Sequence, residues 1–293
     1  MKILITGKNG QLGWELQRAC APLGEIFAVD KEDLDFSHPN EISDFMEGLH
    51  PDLIINPAAY TAVDRAESEV KIAAAINTQT PAILATVARK ISAGFIHYST
   101  DFVFDGQKKS PYTEADRPNP LNVYGKTKLE GEERVREVGG NYVIFRTSWV
   151  YSTRADSFLL KFLQWARNNQ EVRIVEDQFG SPTCARMLAQ TTALFIAQGG
   201  KDWRDWLAGK SGLYHLAGDG TVSRYEWAMQ IYQLWIKKEP LLCKKVIPAL
   251  TSSFPSPAER PPFSGLDCSN FSQMCGLRLP SWRDALALTI AEM

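Results

Sequence analysis

The amino-terminal segment passes from a short apolar run directly into a glycine-rich turn. Lys2–Thr6 has the aliphatic character of a buried strand, and Gly7, Gly10 and Gly13 follow it before an amphipathic helical pattern. Glycine at a strand-to-helix turn adopts backbone angles that other residues resist. It also lets backbone N–H groups approach a phosphate at the positive end of the helix. The turn therefore favours an open α/β sheet that binds a dinucleotide over a turn that merely needs small residues.

Short apolar runs alternate with amphipathic stretches as far as Trp149. This alternation predicts an α/β fold with a Rossmann-like, doubly wound parallel sheet. The strands are expected at Lys2–Thr6, Ile26–Asp30, Asp52–Asn56, Phe95–Ser99 and Tyr142–Thr147. The helices are expected at Leu12–Ala21, Pro39–Leu49, Val70–Arg89 and Val123–Val138.

The pattern changes to shorter elements after residue 150. Helices are expected at Ser157–Asn168 and Met187–Ala197, and short strands at Val172–Val175 and Leu213–Ala217. We predict a dinucleotide-binding domain over residues 1–150, which also receives part of 183–220, and a smaller α/β substrate-binding lobe over 151–293. The prolines of 240–262 predict an ordered loop there, because proline interrupts helices.

Composition excludes several classes of partner and site. With 32 basic and 34 acidic residues and no basic run, the chain lacks the cationic surface that nucleic acid or an anionic membrane requires. It has neither a membrane-spanning apolar run nor a secretory signal, so we expect a cytoplasmic protein. The cysteines form no Cys-x-x-Cys pair, and no metal site is expected. The histidines also lack ligand spacing and are interpreted as structural: His38, His50, His97 and His215.

Tyr124 and Lys128 lie four residues apart, which places them on one face of a predicted helix. On an exposed helix this pair would be an ordinary solvated feature. The chemical alternative is that the ammonium stabilises tyrosinate and lowers the phenol's pKa from ~10, so that the tyrosine exchanges a proton near neutral pH.

Thr100 follows a predicted parallel strand, at the edge of the sheet where ligands bind. Its hydroxyl is therefore a candidate hydrogen-bond partner for a substrate oxygen beside Tyr124.

Asp30 ends the second predicted strand, where dinucleotide folds place a carboxylate that binds the adenosine ribose. A carboxylate repels the 2′-phosphate of NADPH, whereas the adjacent Lys31 attracts it. The sequence therefore leaves both NADH and NADPH as cofactors.

These motifs, in this order, resemble the extended short-chain dehydrogenase/reductase superfamily. Within it the chain is similar to the dTDP-4-dehydrorhamnose reductases, through segments spread over most of its length: 7–13, 59–64, 98–106, 120–128, 146–151, 177–183 and 257–261. The resemblance implies that the C4 carbonyl of dTDP-4-dehydro-L-rhamnose is reduced to give dTDP-L-rhamnose. The nicotinamide would supply the hydride, and Tyr124 the proton.

The resemblance also implies roles for individual residues. Lys128 would be the electrostatic partner of Tyr124, and Thr100 would polarise the carbonyl. Expected dinucleotide contacts, including those of the glycine turn and Lys31, are Gly7, Gly10, Gln11, Leu12, Gly13, Asp30, Lys31, Asp35, Phe36, Ala59, Tyr60, Thr61, Tyr124 and Lys128. Expected contacts to the nucleotide sugar are Thr100, Asp101, Trp149, Gln178 and Arg260.

Some relatives form a homodimer bridged by magnesium on three glutamates. Glu15 and Glu292 fit two of these positions, but Arg186 stands at the third, so no metal bridge is expected and a homodimer stays open. Both glutamates are interpreted as part of a solvated helix face. The chain also carries Pro57 where the resemblance leads us to expect a small residue.

Two alternative functions are open at this point. One is a reductase for another dTDP-4-keto sugar, of the dihydrostreptose type. The other is a non-catalytic dinucleotide-binding subunit, like the regulatory subunit of methionine adenosyltransferase, because a shared fold does not by itself imply catalysis.

Overall fold

A computed structural model describes residues 1–36 and 39–293, so the interpretation of His38 lies outside the described residues. The strands are β1 Lys2–Thr6, β2 Glu25–Val29, β3 Leu53–Asn56, β4 Gly94–Thr100, β5 Tyr142–Thr147, β6 Val150–Tyr151, β7 Glu171–Val175, β8 Phe179–Gly180, β9 Thr183–Cys184, β10 Gly212–His215, β11 Val222–Ser223 and β12 Lys245–Ala249.

The helices alternate with the strands in the first half of the chain. They are α1 Gln11–Cys20, α2 Pro39–Leu49, α3 Val63–Ala66, α4 Val70–Ala74, α5 Thr80–Lys90, α6 Val123–Val138, α7 Phe158–Asn168, α8 Ala185–Ala197, α9 Trp203–Gly209, α10 Arg224–Trp235, α11 Ser269–Cys275 and α12 Trp282–Ala291. In the part of the chain that the structure describes, none of them is long and apolar enough to cross a bilayer.

A six-stranded parallel sheet forms the centre of the fold, in the order β10-β5-β4-β3-β1-β2. This confirms the predicted Rossmann-like, doubly wound class. The chain reverses its direction of winding between β1 and β3, and in such sheets ligands bind in the crevice beyond the carboxyl ends of the strands at that point. β2 ends at Val29, one residue earlier than predicted, so Asp30 begins the following loop.

Apolar cores cover both faces of this sheet. Successive side chains of a strand point to opposite faces, so Ile3 and Ile5 of β1 enter one core while Leu4 enters the other. The first core lies beneath α1 and α8, which pack against each other, and the second beneath α2, α5 and α6. The near-continuous apolar run of Lys2–Thr6 reflects this burial on two sides.

The second half of the chain builds a separate apolar core and also returns to the sheet. Phe162, Trp227 and Trp282 belong to this later core, which is formed by α7, α10, α12, β7 and β12. In contrast, β10 pairs with β5, and α8 packs against α1. The domain boundary at residue 150 itself stays a prediction.

Two segments differ from the sequence expectations. The proline-rich 240–262 segment contains β12, which pairs in parallel with β7 and includes Pro248, so a loop throughout was wrong. The pair is a two-stranded sheet, where a missing N–H is tolerated at an edge. The helix predicted over Val70–Arg89 is interrupted by a π-helical turn at Ala75–Gln79. Pro81 explains the interruption, because it has no N–H to donate to the carbonyl four residues earlier.

A buried ion pair joins α6 to the sheet. The Arg146 guanidinium of β5 donates two hydrogen bonds to Glu132, from Nε to Oε1 at 2.9 Å and from Nη2 to Oε2 at 2.6 Å. Arg146 is 3% exposed and Glu132 is 1% exposed. A charge this deeply buried is tolerated when it is paired and is costly when its partner is removed.

We therefore expect Glu132→Ala to lower the free energy of unfolding by about 3–5 kcal/mol, because it leaves the Arg146 charge buried and unpaired. Urea unfolding measures the loss. Glu137→Ala is the matched control, since it breaks an exposed ion pair with Arg134 on the same helix. It is expected to cost less than about 1 kcal/mol. Equal losses of unfolding free energy in the two variants would contradict a special cost for unpairing the buried Arg146.

Candidate active site

A cavity of about 560 Å³ lies at the carboxyl ends of the first five strands of the sheet. Each strand, or the loop that follows it, supplies lining residues: Gly7 after β1, Asp30 after β2, Ala58 after β3, Thr100 at the end of β4 and Thr147 at the end of β5. This is the crevice that the strand order predicts for a ligand.

The cavity brings together most of the residues that the sequence nominated. Those that line it are Gly7, Gly10, Gln11, Leu12, Gly13, Asp30, Lys31, Phe36, Ala59, Thr61, Thr100, Asp101, Tyr124, Lys128 and Trp149. Four nominated residues do not line it: Asp35, Tyr60, Gln178 and Arg260. Tyr60 turns its hydroxyl away to donate a hydrogen bond to Glu69.

The sequence analysis did not nominate nine of the lining residues: Pro57, Ala58, Ile76, Tyr98, Ser99, Thr147, Val150, Ala155 and Asp156. Thr147 could have been predicted from the sequence, because it ends a parallel strand just as Thr100 does. Ser99 Oγ and Thr147 Oγ1 are buried and have no hydrogen-bond partner among the described residues. Buried hydroxyls without a partner at a cavity wall suit the polar groups of a ligand.

The glycine turn is held by close backbone contacts. Gly7 has φ of +62°, and the Gly10 N–H donates to its carbonyl oxygen at 3.0 Å. A Cβ at Gly13 would lie 2.0 Å from the same oxygen, so this position requires glycine. No side chain caps the amino terminus of α1. Its first residues, Gln11–Gly13, line the cavity, and the first N–H groups of a helix are suited to binding an anion.

Asp30 joins the glycine turn to the end of β2. Its carboxylate accepts hydrogen bonds from the backbone N–H groups of Asn9, at 3.0 Å, and Lys31, at 2.9 Å. Two lysines flank it. Lys8 forms an ion pair with Asp33 at 2.6 Å, and its hydrogen bond lowers the pKa of the Asp33 carboxyl. The surroundings of Asp30 thus combine two lysines with the carboxylates of Asp33 and Glu32, which lie beside Lys8 and Lys31 respectively.

Tyr124 lies in the first turn of α6. The helix begins there because Asn122 caps it, accepting a hydrogen bond from the Gly125 N–H at 2.8 Å. Burial raises the pKa of Tyr124 to about 12, opposed by the nearby Thr100 hydroxyl. The expected lowering of the phenol's pKa is therefore wrong, since desolvation, together with the charge of Asp101, outweighs the Thr100 hydrogen bond. The phenol is a protonated acid at neutral pH.

Lys128 is buried one turn after Tyr124 and is 1% exposed. Its Nζ donates to the Tyr98 carbonyl oxygen at 2.6 Å and lies 3.3 Å from Nε2 of His97. Burial lowers the pKa of Lys128 to about 8, opposed by the charge of Glu132. The contact with His97 was missed because the two residues lie on different elements of the chain.

Asp101 links three segments at the wall of the cavity. Its carboxylate accepts hydrogen bonds from Thr100 Oγ1 at 3.1 Å and from Ser148 Oγ at 2.8 Å, and also from Ser264. Burial raises the pKa of Asp101 to about 6. Because Ser148 follows β5 and Ser264 lies in the carboxyl-terminal part of the chain, this carboxylate fixes both segments beside Thr100.

Trp149 faces the cavity with an unusual backbone conformation, at φ of +43°. The guanidinium of Arg224 lies over its ring, 3.5 Å from the centroid, a cation–π contact that holds the indole. The other two nominated sugar ligands make contacts elsewhere. Gln178 donates to Thr251 Oγ1 at 3.1 Å, and Arg260 pairs with Asp64 at 2.8 Å.

Glu15 and Glu292 share the Arg186 guanidinium as their ion-pair partner. Arg186 Nε lies 3.4 Å from Glu15 Oε2, and another nitrogen of the same guanidinium contacts Glu292. Glu15 is only 7% exposed, so its interpretation as a solvated residue was wrong: it is buried against its ion-pair partner. Residues 1–36 and 39–293 contain no group of three or more side chains that could hold a metal ion.

The buried Lys128 makes stability depend on pH. Its pKa is about 8 in the folded chain, against an ordinary value of 10.5. Unfolding therefore takes up a proton between these values, and the wild type gains stability as the pH rises through this window. We expect the wild type's free energy of unfolding to rise by about 3 kcal/mol relative to that of Lys128→Met between pH 7.5 and 10.5, measured by urea unfolding.

Lys126→Met is the control, at an exposed position of the same helix, and its pH dependence should follow that of the wild type. Parallel curves for wild type and Lys128→Met would refute the assignment.

Comparisons with known proteins agree over the whole chain. Residues 1–293 match the family model described as the RmlD substrate binding domain. A dTDP-4-dehydrorhamnose reductase of Burkholderia thailandensis is 41% identical over 298 residues, covering 100% of this chain and 99% of that protein. The crystal structure of a dTDP-4-dehydrorhamnose reductase from Clostridium acetobutylicum has a TM-score of 0.91 at 35% identity, covering 100% and 99% of the two chains. One from Bacillus anthracis, in complex with NADP, has a TM-score of 0.88 at 31% identity and the same coverage. The chain belongs to the dTDP-4-dehydrorhamnose reductase family.

Proposed function

We propose that this protein reduces the C4 carbonyl of dTDP-4-dehydro-L-rhamnose with NADPH or NADH and releases dTDP-L-rhamnose. The observation that carries the proposal is that one cavity contains both the glycine turn and the Thr100, Tyr124 and Lys128 side chains. A dinucleotide-binding subunit without catalysis has no chemical need for the second group beside the first.

The residues of the cavity fit a dinucleotide. The uncapped amino terminus of α1 and the positive φ of Gly7 provide backbone N–H groups for its pyrophosphate. Asp30 would bind the adenosine ribose, and Lys31, which lines the cavity beside it, would attract a 2′-phosphate. A relative solved with NADP supports NADPH as one cofactor. When bound, the reduced nicotinamide supplies the hydride that reaches C4 of the sugar.

The chain's own residues supply the proton. Tyr124 is protonated at neutral pH, so it can transfer its phenol proton to the substrate oxygen that develops negative charge at C4, which leaves tyrosinate. Thr100 would donate a hydrogen bond to the same oxygen. The Lys128 ammonium would stabilise the tyrosinate left behind. This stabilisation grows as negative charge develops on the phenol oxygen in the transition state.

The nucleotide sugar would extend from Asp101 and Trp149 toward the carboxyl-terminal half of the chain. We assign its dTDP portion to Gln178 and Arg260, as the family resemblance implies. Arg260 would then exchange the Asp64 carboxylate for a phosphate, a bidentate partner that suits a guanidinium. A cytoplasmic location is part of the same proposal, and a homodimer stays open.

The direct test supplies the purified protein with dTDP-4-dehydro-L-rhamnose and either NADPH or NADH. Nicotinamide oxidation is followed by absorbance, and the sugar product is identified. Tyr124→Phe is expected to lower kcat by about 10²–10⁴-fold and to leave cofactor binding nearly intact, because only the acid is removed.

Tyr142→Phe is the matched control, since it removes a phenol hydroxyl from β5 outside the cavity. It should retain full activity. If the cofactor is oxidised with a different dTDP-4-keto sugar but not with dTDP-4-dehydro-L-rhamnose, the substrate assignment moves to that other sugar. Normal turnover by Tyr124→Phe would show that the acid is another group.

The glycine turn gives a separate prediction for cofactor binding. We expect Gly13→Ala to weaken NADPH binding at least ~10-fold, because its Cβ must displace the Gly7 carbonyl and with it the N–H groups of the turn. Calorimetric titration measures the affinity. Gly48→Ala is the control, because an added Cβ there meets nothing within 4 Å. Unchanged affinity in Gly13→Ala would be evidence against a pyrophosphate at this turn.

A further inference from the structure

A line of buried polar side chains runs across the sheet behind the catalytic lysine. His97 lies at its centre and is fully buried. Its Nε2 is 3.3 Å from Lys128 Nζ, and its Nδ1 is 3.1 Å from the side-chain amide of Asn56. The Asn56 amide in turn contacts Thr6 Oγ1 at 2.6 Å. The line thus joins α6 to β4, β3 and β1.

We propose that His97 is a positioning residue for the reduction, which rests on the function proposed above. It holds Lys128 Nζ against the Tyr98 carbonyl and offers the lysine a matching hydrogen bond in both of its charge states. Neither the motifs nor the comparisons assign this residue a role.

The argument begins with the chemistry of a neutral imidazole, which has one donor nitrogen and one acceptor nitrogen. Burial and the neighbouring ammonium hold the pKa of His97 well below its usual range, so the ring stays neutral. When Lys128 is charged, Nε2 accepts from the ammonium, and the Nδ1–H group donates to the Asn56 amide oxygen. When Lys128 is neutral, the Nε2–H group donates to the amine, and Nδ1 accepts from the Asn56 amide nitrogen.

The far end of the line allows both arrangements. The side-chain amide of Asn56 carries a donor and an acceptor, and rotating it exchanges them. The Thr6 hydroxyl can likewise donate to the amide oxygen or accept from the amide nitrogen. An amide does not pass a proton along, so the line orients Lys128 rather than conducting protons from it.

The other groups around Lys128 cannot switch between accepting and donating a hydrogen bond when its charge changes. The Tyr98 carbonyl only accepts hydrogen bonds. Glu132, one turn further along α6, is held by the Arg146 guanidinium of β5. Tyr124 on the same helix and Asp101 beyond β4 are the titratable groups on the cavity side.

The variant that tests this role is His97→Phe. The Phe95 ring lies nearly parallel to the imidazole, with centroids 6.1 Å apart, so an aromatic replacement suits the space. Without the Nε2 acceptor the buried ammonium is less stable, and Lys128 loses its proton at lower pH. We expect the alkaline limb of the kcat–pH profile to move down by about one unit and kcat at pH 8 to fall about fivefold. KM for the nucleotide sugar should change less than about twofold.

His97→Gln is the conservative variant, because its carboxamide offers an acceptor and a donor. It should return the alkaline limb to within about 0.3 unit of the wild type. Thr192→Val is the matched structural control, since it removes a buried hydrogen bond of 2.7 Å to the Tyr98 hydroxyl without touching the line. It should reduce stability and leave the pH profile unchanged.

If His97→Phe fails to fold, Asn56→Asp decides, because a carboxylate only accepts hydrogen bonds and therefore fixes Nδ1 of His97 as the donor and Nε2 as the acceptor for the ammonium. Its alkaline limb should move to higher pH. An unshifted limb in the folded variants, or an equal shift in Thr192→Val, would overturn the role of His97. An inactive wild type would instead overturn the proposed function and this role with it.

Discussion

The parallel alignment of the central strands is the constraint on which the rest of this structure depends. Parallel strands end at the same edge of the sheet, so residues far apart in the chain meet there. Gly7, Asp30, Thr100 and Thr147 follow or end four different strands and line one cavity. Because the strands are buried on both faces, their positions are fixed by two apolar cores.

Buried charge is the second organising feature, and it is arranged around α6. The helix carries Lys128 and Glu132 on its buried face, one turn apart. Arg146 neutralises Glu132, which leaves the lysine with neutral partners: a carbonyl oxygen and the His97 ring. A cation held in this way has a pKa of about 8, close to the pH at which an acid–base enzyme works. Burial of this lysine lowers folding stability at neutral pH, because its charge loses contact with water.

Contacts between the two halves of the chain complete the cavity. Asp101 receives a hydrogen bond from Ser264, and Asn122, the cap of α6, donates to the Glu259 carbonyl at 2.7 Å. Arg260 pairs with Asp64 across the same boundary. The proline-rich segment is therefore tied to Asp64 and to Asn122, the cap of the helix that carries Tyr124 and Lys128. Proline limits the number of conformations this segment must lose on folding, which favours such a fixed path.

The sequence by itself determined the sheet, the glycine turn and the Tyr124–Lys128 pair, because these depend on local patterns. Strand and helix periods, φ at Gly7 and the i, i+4 spacing are all properties of neighbouring residues. The tertiary structure alone decided which cations and carboxylates meet. It paired Arg186 with Glu15 and placed His97 behind Lys128. It also raised the pKa of Tyr124, because desolvation depends on atoms contributed by distant segments.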